Sequence, residues 1–362
     1  MRIGIITFHR ALNYGALLQA YALREALKAC GAETSVIDYR NPIIENMYSY
    51  PSLFQRKGLK SKMKYILQGG AEKRRRSKFE FFRKQFLNLG DNDYYTGEDI
   101  SKSLEHFDKF ITGSDQVWNY DAHNFDKNYL LSFVGDKKKK FSYAASFGVS
   151  QLPEKYMEDY KAHLSDFSAC SVREEQGLDI LNELGITSGR VDVDPTMLLT
   201  KNDWISNFKI SEKSGKYIFV YYFELTNTMK EYIERLATNT GCSVVLVGNP
   251  IKSPLKCKCK FLRTADPVEF ISALANSTYV VTNSFHGTAL SIILNKTFYV
   301  ELLKKQSKVN SRIENILKLF SLEDRIISDS LNDFQINWEE VNDKMAKMRK
   351  ISLAYLGEIV ND

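Results

Sequence analysis

Cysteine is scarce and unpaired. The five cysteines (Cys30, Cys170, Cys242, Cys257, Cys259) are an odd number, scattered except for one Cys-Lys-Cys pair, and fit neither a disulfide framework nor a zinc knuckle. They read as reduced thiols. Asp192 and Asp194 make too thin a carboxylate cluster to imply magnesium, so no metal is expected to be required. No run approaches the roughly 18 apolar residues that cross a bilayer. The opening stretch MRIGIITFHRALNYGA lacks the long apolar core and small-residue cleavage site of a signal peptide, so a cytoplasmic protein is expected. No GxGxxG follows a strand-like run and no P-loop occurs, which argues against a dinucleotide or P-loop enzyme. Internal repeats and low-complexity tracts are also missing.

What is present is a globular composition: 44% hydrophobic, 26% charged, with 20 Tyr and 22 Phe in 362 residues. At about 150 residues per domain this length favours two domains. The net charge of +6 is uneven, because residues 56–86 hold twelve Lys or Arg against two Glu, a local balance of +10 that leaves −4 for the remainder. This stretch, with KRRR at 73–76 beside Phe79, Phe81 and Phe82, reads as a solvated helical face. Peripheral contact with the inner face of an anionic membrane is the next reading, ahead of an acidic polymer, and nucleic acid is not expected as a partner.

IGIITF at 3–8, an Asn-Tyr-Gly break, the helical pattern ALLQAYALREALKACG and VIDY at 36–39 form a βαβ unit and imply a parallel sheet. Residues 41–100 are aromatic, basic and weakly periodic, as in a sheet edge or insertion. Strands are predicted at 109–113, 140–147 and around 170–173, a helix around 174–184, and RVDVDPTMLL closes the first domain near 200. A second series follows: strands at 216–223 and 242–248, helices at 228–240 and 266–277, a strand at 278–283, the helix GTALSIILN and a strand at 297–300. The expected architecture is therefore α/β, with Rossmann-like domains at 1–200 and 201–337. An amphipathic helix over about 338–358 lies in the final segment, 338–362, which is expected to pack back on the first domain. Parallel sheets bind ligands beyond the carboxyl ends of their strands. Two such domains facing an interdomain cleft suit a transferase that joins donor to acceptor.

TNSFHGTALSII at 282–293 carries the most chemistry: a strand, a polar turn with His286 and Gly287, then a helix. The amides of Gly287, Thr288 and Ala289 are candidates to receive phosphate or carboxylate oxygens, with the His286 imidazole beside them for proton transfer. A histidine that only caps the turn is the bland alternative. In FHRALNYGALLQ, Asn13 can cap the first helix, Gly15 opens it, Tyr14 can stack on a ring, and His9 and Arg10 can reach the cleft. A charged loop exposed above the sheet would look the same.

GSDQVWN at 113–119 offers Asp115 as a base or orienting carboxylate, with Gln116 for sugar hydroxyls and Trp118 for a pyranose face. Asp115 capping a turn and Trp118 in the core are the alternatives. Arg173 in SVREE has a fork suited to carboxylate or phosphate, or to an internal pair with Glu174, Glu175 or another acid. Lys308 and Arg312, just ahead of a helix that Ser311 could cap, can face an anionic donor or simply solvent.

NYGALLQAYAL, ITGSDQVWN, SYAASFG, SVRE with VDPTMLL, and TNSFHGTALSIIL, in this order and spacing, resemble the polysaccharide pyruvyl transferase family. The resemblance extends over most of the chain and implies a fold like that of the two-domain GT-B glycosyltransferases. It implies transfer of pyruvate from phosphoenolpyruvate to sugar hydroxyls, giving a cyclic ketal on a surface polysaccharide or its precursor, with no cofactor required. The partners it implies are phosphoenolpyruvate and a sugar, oligosaccharide or lipid-linked saccharide. On this sequence His286 matches the histidine of the family's SFHG segment and Arg173 the arginine of its R-E segment. Both are therefore donor-site candidates, with His286 preferred as acid and Asp115 assisting hydroxyl activation. Asn13, Gly15, Asp115 and Gln116 fall in its early and central motifs. A nucleotide-sugar glycosyltransferase and a noncatalytic binder of anionic glycans are the rival readings.

Overall fold

The computed structural model describes residues 1–50, 58–89, 97–213, 215–303, 307–328 and 335–361. They form two compact units. The first comprises Met1–Ser49, Arg83–Leu199 and the chain from Met345 onward; the second comprises the described parts of Tyr50–Phe82 and Thr200–Lys344.

The first unit is built on a parallel sheet of β1 (Arg2–Ile6), β2 (Glu33–Val36), β3 (Lys109–Thr112) and β4 (Lys140–Ser142), in the order β2-β1-β3-β4. A parallel pair, β5 (Ser171–Val172) and β6 (Arg190–Val191), adjoins it through bridges from Phe141 to Ala169 and from Ala145 to Val172. Four of the five residues of β1 and all of β3 are buried. That is why β1 reads as a continuous apolar run rather than an alternating one, since helices cover both faces of a parallel sheet. The helix Tyr14–Ala29 begins at the extended Asn13, whose side chain accepts from the Ala16 amide at 3.3 Å.

The long helix Trp338–Asn361 contributes its later turns to this unit. Ser352 Oγ donates to Asp192 Oδ1 (2.8 Å), Arg349 Nε to the Met197 carbonyl (2.7 Å) and the Tyr355 hydroxyl to the Ser142 carbonyl (3.0 Å). These bonds tie the tail to the strand ends rather than leaving it a free amphipathic helix.

The second unit holds five parallel strands, β7 (Tyr217–Tyr221), β8 (Ser243–Val247), β9 (Cys259–Leu262), β10 (Tyr279–Thr282) and β11 (Thr297–Val300), ordered β11-β10-β7-β8-β9. Its helices start where the chemistry of the termini demands. Thr226 caps Asn227–Thr240, Asp266 with Glu269 forms a capping box before Pro267–Ala275, and Ser284 caps Phe285–Ile293.

The basic stretch, read from the sequence as a helical face, is one continuous helix, Leu59–Phe86. One segment differs from the sequence expectations. Helix Ser307–Leu319 begins before Lys308, so Ser311 and Arg312 lie inside it rather than ahead of it. Helix Glu154–Leu164 and β9 carried no clear periodic signal.

Candidate functional site

Strand order locates the ligand-binding edge of each sheet. In the first unit the chain steps from β1 to β2 on one side and then to β3 on the other, so the topological switch lies between β1 and β3. Loops at such a point part and leave a crevice beyond the strand ends. Here the throat is filled by a buried amide-hydroxyl network. Gln19 Nε2 donates to Thr7 Oγ1 (2.8 Å), Thr7 Oγ1 donates to the Ser114 carbonyl (3.1 Å), and the Ser114 amide donates to Gln19 Oε1 (3.0 Å). Gly113 is required at this edge: its φ is +130°, and a Cβ would sit 2.1 Å from the Tyr143 carbonyl oxygen.

A charged cluster occupies the rim beyond β3 to β6. Arg173 Nη1 lies 3.0 Å from Asp194 Oδ2 and Nε lies 3.3 Å from Glu174 Oε2. Burial opposes the guanidinium charge, but the carboxylates of Glu174, Asp194 and Asp115 outweigh it and raise the Arg173 pKa. Ser146 Oγ donates to Glu174 and accepts from the Gly148 amide at 3.1 Å. Asp194 Oδ1 also caps the turn Pro195–Leu198 through Thr196. Arg173 thus joins Asp115, Ser146, Glu174 and Asp194 in one strand-end cluster in which carboxylates outnumber the cation.

The β1 loop is tied differently. Asp38, just past β2, receives Arg10 through both carboxylate oxygens, His9 Nε2 at 2.9 Å and Arg40 at 3.3 Å. Against the opposing effect of burial, His9 and Arg10 hold its carboxyl well below the ordinary range, while burial itself lowers the His9 pKa. Arg83, at the end of the basic helix, donates to the carbonyls of His9 (2.8 Å), Arg10 (2.9 Å) and Ala11 (3.2 Å). Asp38, Arg40 and Arg83 carried no motif in the sequence; only the fold brings them to this loop.

Several expected contacts are corrected. Trp118 is enclosed against Phe147 and Phe167, with Nε1 donating to the Tyr129 carbonyl, so its indole cannot stack on a sugar. Tyr14 and Gly15 are buried in the first turn of their helix, and Tyr14 presents no ring to a ligand. Asn13 caps the helix, as its position ahead of the helical pattern led us to expect, while Arg10 pairs with Asp38. Gln116 Oε1 accepts from Asn119 Nδ2 at 2.8 Å. Asp115 is half-buried in a left-handed conformation, φ 66°, with Oδ1 accepting the Gln116 amide at 2.9 Å.

In the second unit the order reverses between β7 and β10. Asn283, just past β10, bridges that edge: its Oδ1 accepts the Phe223 amide (2.8 Å), and its Nδ2 donates to the Glu224 carbonyl (2.7 Å) and reaches Glu301 Oε2 at 3.4 Å. His286 is the second residue of the following helix and 8% exposed, its ring edge-on to Phe285. The neighbouring amides are not available as the sequence suggested. Gly287 donates to Ser284 Oγ at 3.4 Å, and Thr288 donates to the Ser284 carbonyl at 2.9 Å through its amide and 3.0 Å through its hydroxyl. Gly287 serves packing instead, since a Cβ there would meet Thr282 Oγ1 at 2.3 Å. Arg312 is half-buried on its helix; the Lys308 side chain lies outside the described residues. Among the described residues there is no group of three metal-ligating side chains and no helix long and apolar enough to cross a membrane.

Each unit is thus a parallel α/β layer with polar residues gathered beyond its strand ends. The sequence profile of the polysaccharide pyruvyl transferase family matches residues 13–300, and the chain belongs to that family. Among solved structures it is similar to a UDP-GlcNAc 2-epimerase of Methanocaldococcus jannaschii in complex with UDP-GlcNAc and UDP (14% identity, 96% of this chain and 92% of that one, TM-score 0.49). It is also similar to a UDP-GlcNAc 2-epimerase of Neisseria meningitidis bound to UDP-GlcNAc (10% identity, 100% and 94%, TM-score 0.47) and to an alpha-glucosyltransferase in complex with UDP (10% identity, 98% and 95%, TM-score 0.46). At these scores the likeness bears on neither activity nor ligand. No curated protein matches the chain.

Proposed function

We propose that this chain transfers the pyruvyl group of phosphoenolpyruvate to two hydroxyls of a sugar, oligosaccharide or lipid-linked saccharide as a cyclic ketal, in the building of a cell-surface polysaccharide. Family membership supports the transferase class. The observation that carries the chemistry is His286, a nearly buried imidazole at the positive end of a helix, beyond the strand ends where the sheet order reverses.

In this reading the His286 imidazolium gives a proton to the methylene carbon of the donor, which breaks the carbon-carbon double bond and leaves an oxocarbenium-like carbon. One sugar hydroxyl attacks that carbon and loses its proton. Phosphate then leaves with the electrons of its carbon-oxygen bond, and the neighbouring hydroxyl closes the ketal with loss of the second proton. Proton transfer of this kind is worth about 10²- to 10⁴-fold. Arg173 is assigned to holding Glu174 and Asp194 in place rather than to neutralising the donor by itself, because both carboxylates already pair with it. Arg312 and Lys308 remain the donor's cationic partners in this proposal, and no cofactor or metal is invoked.

The test is a phosphoenolpyruvate-dependent assay with saccharide acceptors that follows phosphate release and ketal formation together. His286→Asn is expected to lower turnover by about 10²- to 10⁴-fold with the melting temperature retained. Stabilisation by UDP-sugars but not by phosphoenolpyruvate would favour nucleotide-sugar transfer instead. Glycan binding without turnover on any donor would favour a noncatalytic role.

A further inference from the structure

The helix Leu59–Phe86 has two unlike faces. One is docked into the second unit: Phe79 and Phe82 are fully buried, the Gln68 side chain donates to the Asn249 carbonyl, and Lys78 pairs with Glu269. At 3.6 residues per turn, Gln68, Phe79 and Phe82 fall on one side, and Met63, Ile66, Leu67 and Phe81 fall on the other. Those four are 56%, 68%, 63% and 63% exposed. They share their face with exposed Lys62, Lys73 and Arg74. Met63 and Phe81 stand five turns apart on the same line, so the stripe is about 27 Å long.

Charge on this face has one sign. Among the described residues of the helix no exposed side chain is acidic. Glu72 is half-buried and held by Arg75 and Arg76, and Glu80 is also only half-exposed. A solvated surface helix would carry charges of both signs there, and four large apolar side chains would remain in water without return. A phosphate backbone would satisfy the cations but gives Ile66 and Leu67 nothing to bury against. An anionic bilayer surface satisfies both, with aliphatic and aromatic side chains in the headgroup boundary and cations at the phosphates.

We infer that this face is a peripheral binding surface for anionic lipid, on which the helix lies in the membrane plane. The inference is independent of the transfer chemistry. Its test uses the full chain sedimented with vesicles of phosphatidylcholine alone or mixed with phosphatidylglycerol. Binding is expected only to the mixed vesicles and is expected to fall as salt is raised. Ile66→Asp with Leu67→Asp, and separately Lys73→Ala with Arg74→Ala, should each weaken it roughly tenfold or more while the melting temperature stays the same, because the replaced side chains are exposed. Phe81→Ser supplies an independent apolar variant. Absence of binding to the mixed vesicles at low salt overturns the inference, as does binding that ignores the two aspartates. So does tighter binding to a DNA duplex that depends on Lys73 and Arg74 alone, or a dimer in solution that the aspartates dissociate.

Discussion

Arg173 and Asp194 form a buried ion pair with Nη1 3.0 Å from Oδ2, and Glu174 completes the cradle from the adjacent position. The Asp194 side chain is fully enclosed and also accepts from the Thr196 amide and hydroxyl. Removing the guanidinium therefore strands a desolvated carboxylate at the strand ends. Arg173→Met is expected to cost roughly 3–5 kcal/mol in chemical denaturation. Adding Asp194→Asn, which removes the stranded charge but keeps an acceptor for Thr196, should recover a substantial part of that loss. Equal stability of the single and double variants would mean that the pair does not govern this rim.

The pH dependence of folding is expected to show His123. Its Nδ1 accepts the Asp126 amide at 2.8 Å, which requires that nitrogen to be unprotonated, and Nε2 donates to the Val117 carbonyl at 3.0 Å. Burial lowers its pKa from the ordinary 6.5, against the pull of Asp126. The folded state therefore refuses a proton that the unfolded chain accepts. The stability it contributes is complete above about pH 6.5 and is lost as the pH falls from there through the lowered folded value, at about 1.4 kcal/mol per unit of separation. Histidine NMR should show a neutral Nε2–H ring at pH 6, and His123→Gln should flatten the melting profile between pH 5 and 6.5. A ring that titrates near 6.5 in the folded protein would contradict this.

The strand and helix series was legible because burial on two faces writes itself as apolar runs. IGIITF, KYIFVYYF and TYVVTN could hardly be anything but interior strands, and the polar turns after them marked the ligand edge. The basic stretch was legible as a helical face, but which of its sides docks and which stays exposed was not. Its exposed face carries Met63, Ile66, Leu67 and Phe81, while its docked half includes Gln68 and Arg83, so the apolar period that identifies an ordinary surface helix is scrambled. Trp118 and Tyr14 misled because an aromatic after a strand is the same letter whether it lines a pocket or fills a core. Only the neighbours, Phe147 and Phe167 for Trp118, decide between them. The Asp38 cluster joins residues about 30 apart and Arg83 reaches back more than 70, distances at which spacing carries no information.

Across that distance, buried Arg83 orders the β1 loop. One guanidinium holds the carbonyls of three successive residues, His9, Arg10 and Ala11, at 2.8, 2.9 and 3.2 Å. Five donors in a planar fork can do this; the single ammonium of lysine cannot span them. Arg83→Met leaves three acceptors without their donor, two of them buried, at about 1.5–3 kcal/mol for each charged hydrogen bond that water does not replace. Arg83→Lys is expected to recover only part of that stability. Hydrogen exchange should locate the effect, with protection lost across residues 8–13 and the opening turn of Tyr14–Ala29, and with β10 and the helix after it unchanged. Uniform loss of protection across both units would instead mean that Arg83 supports global stability rather than this loop.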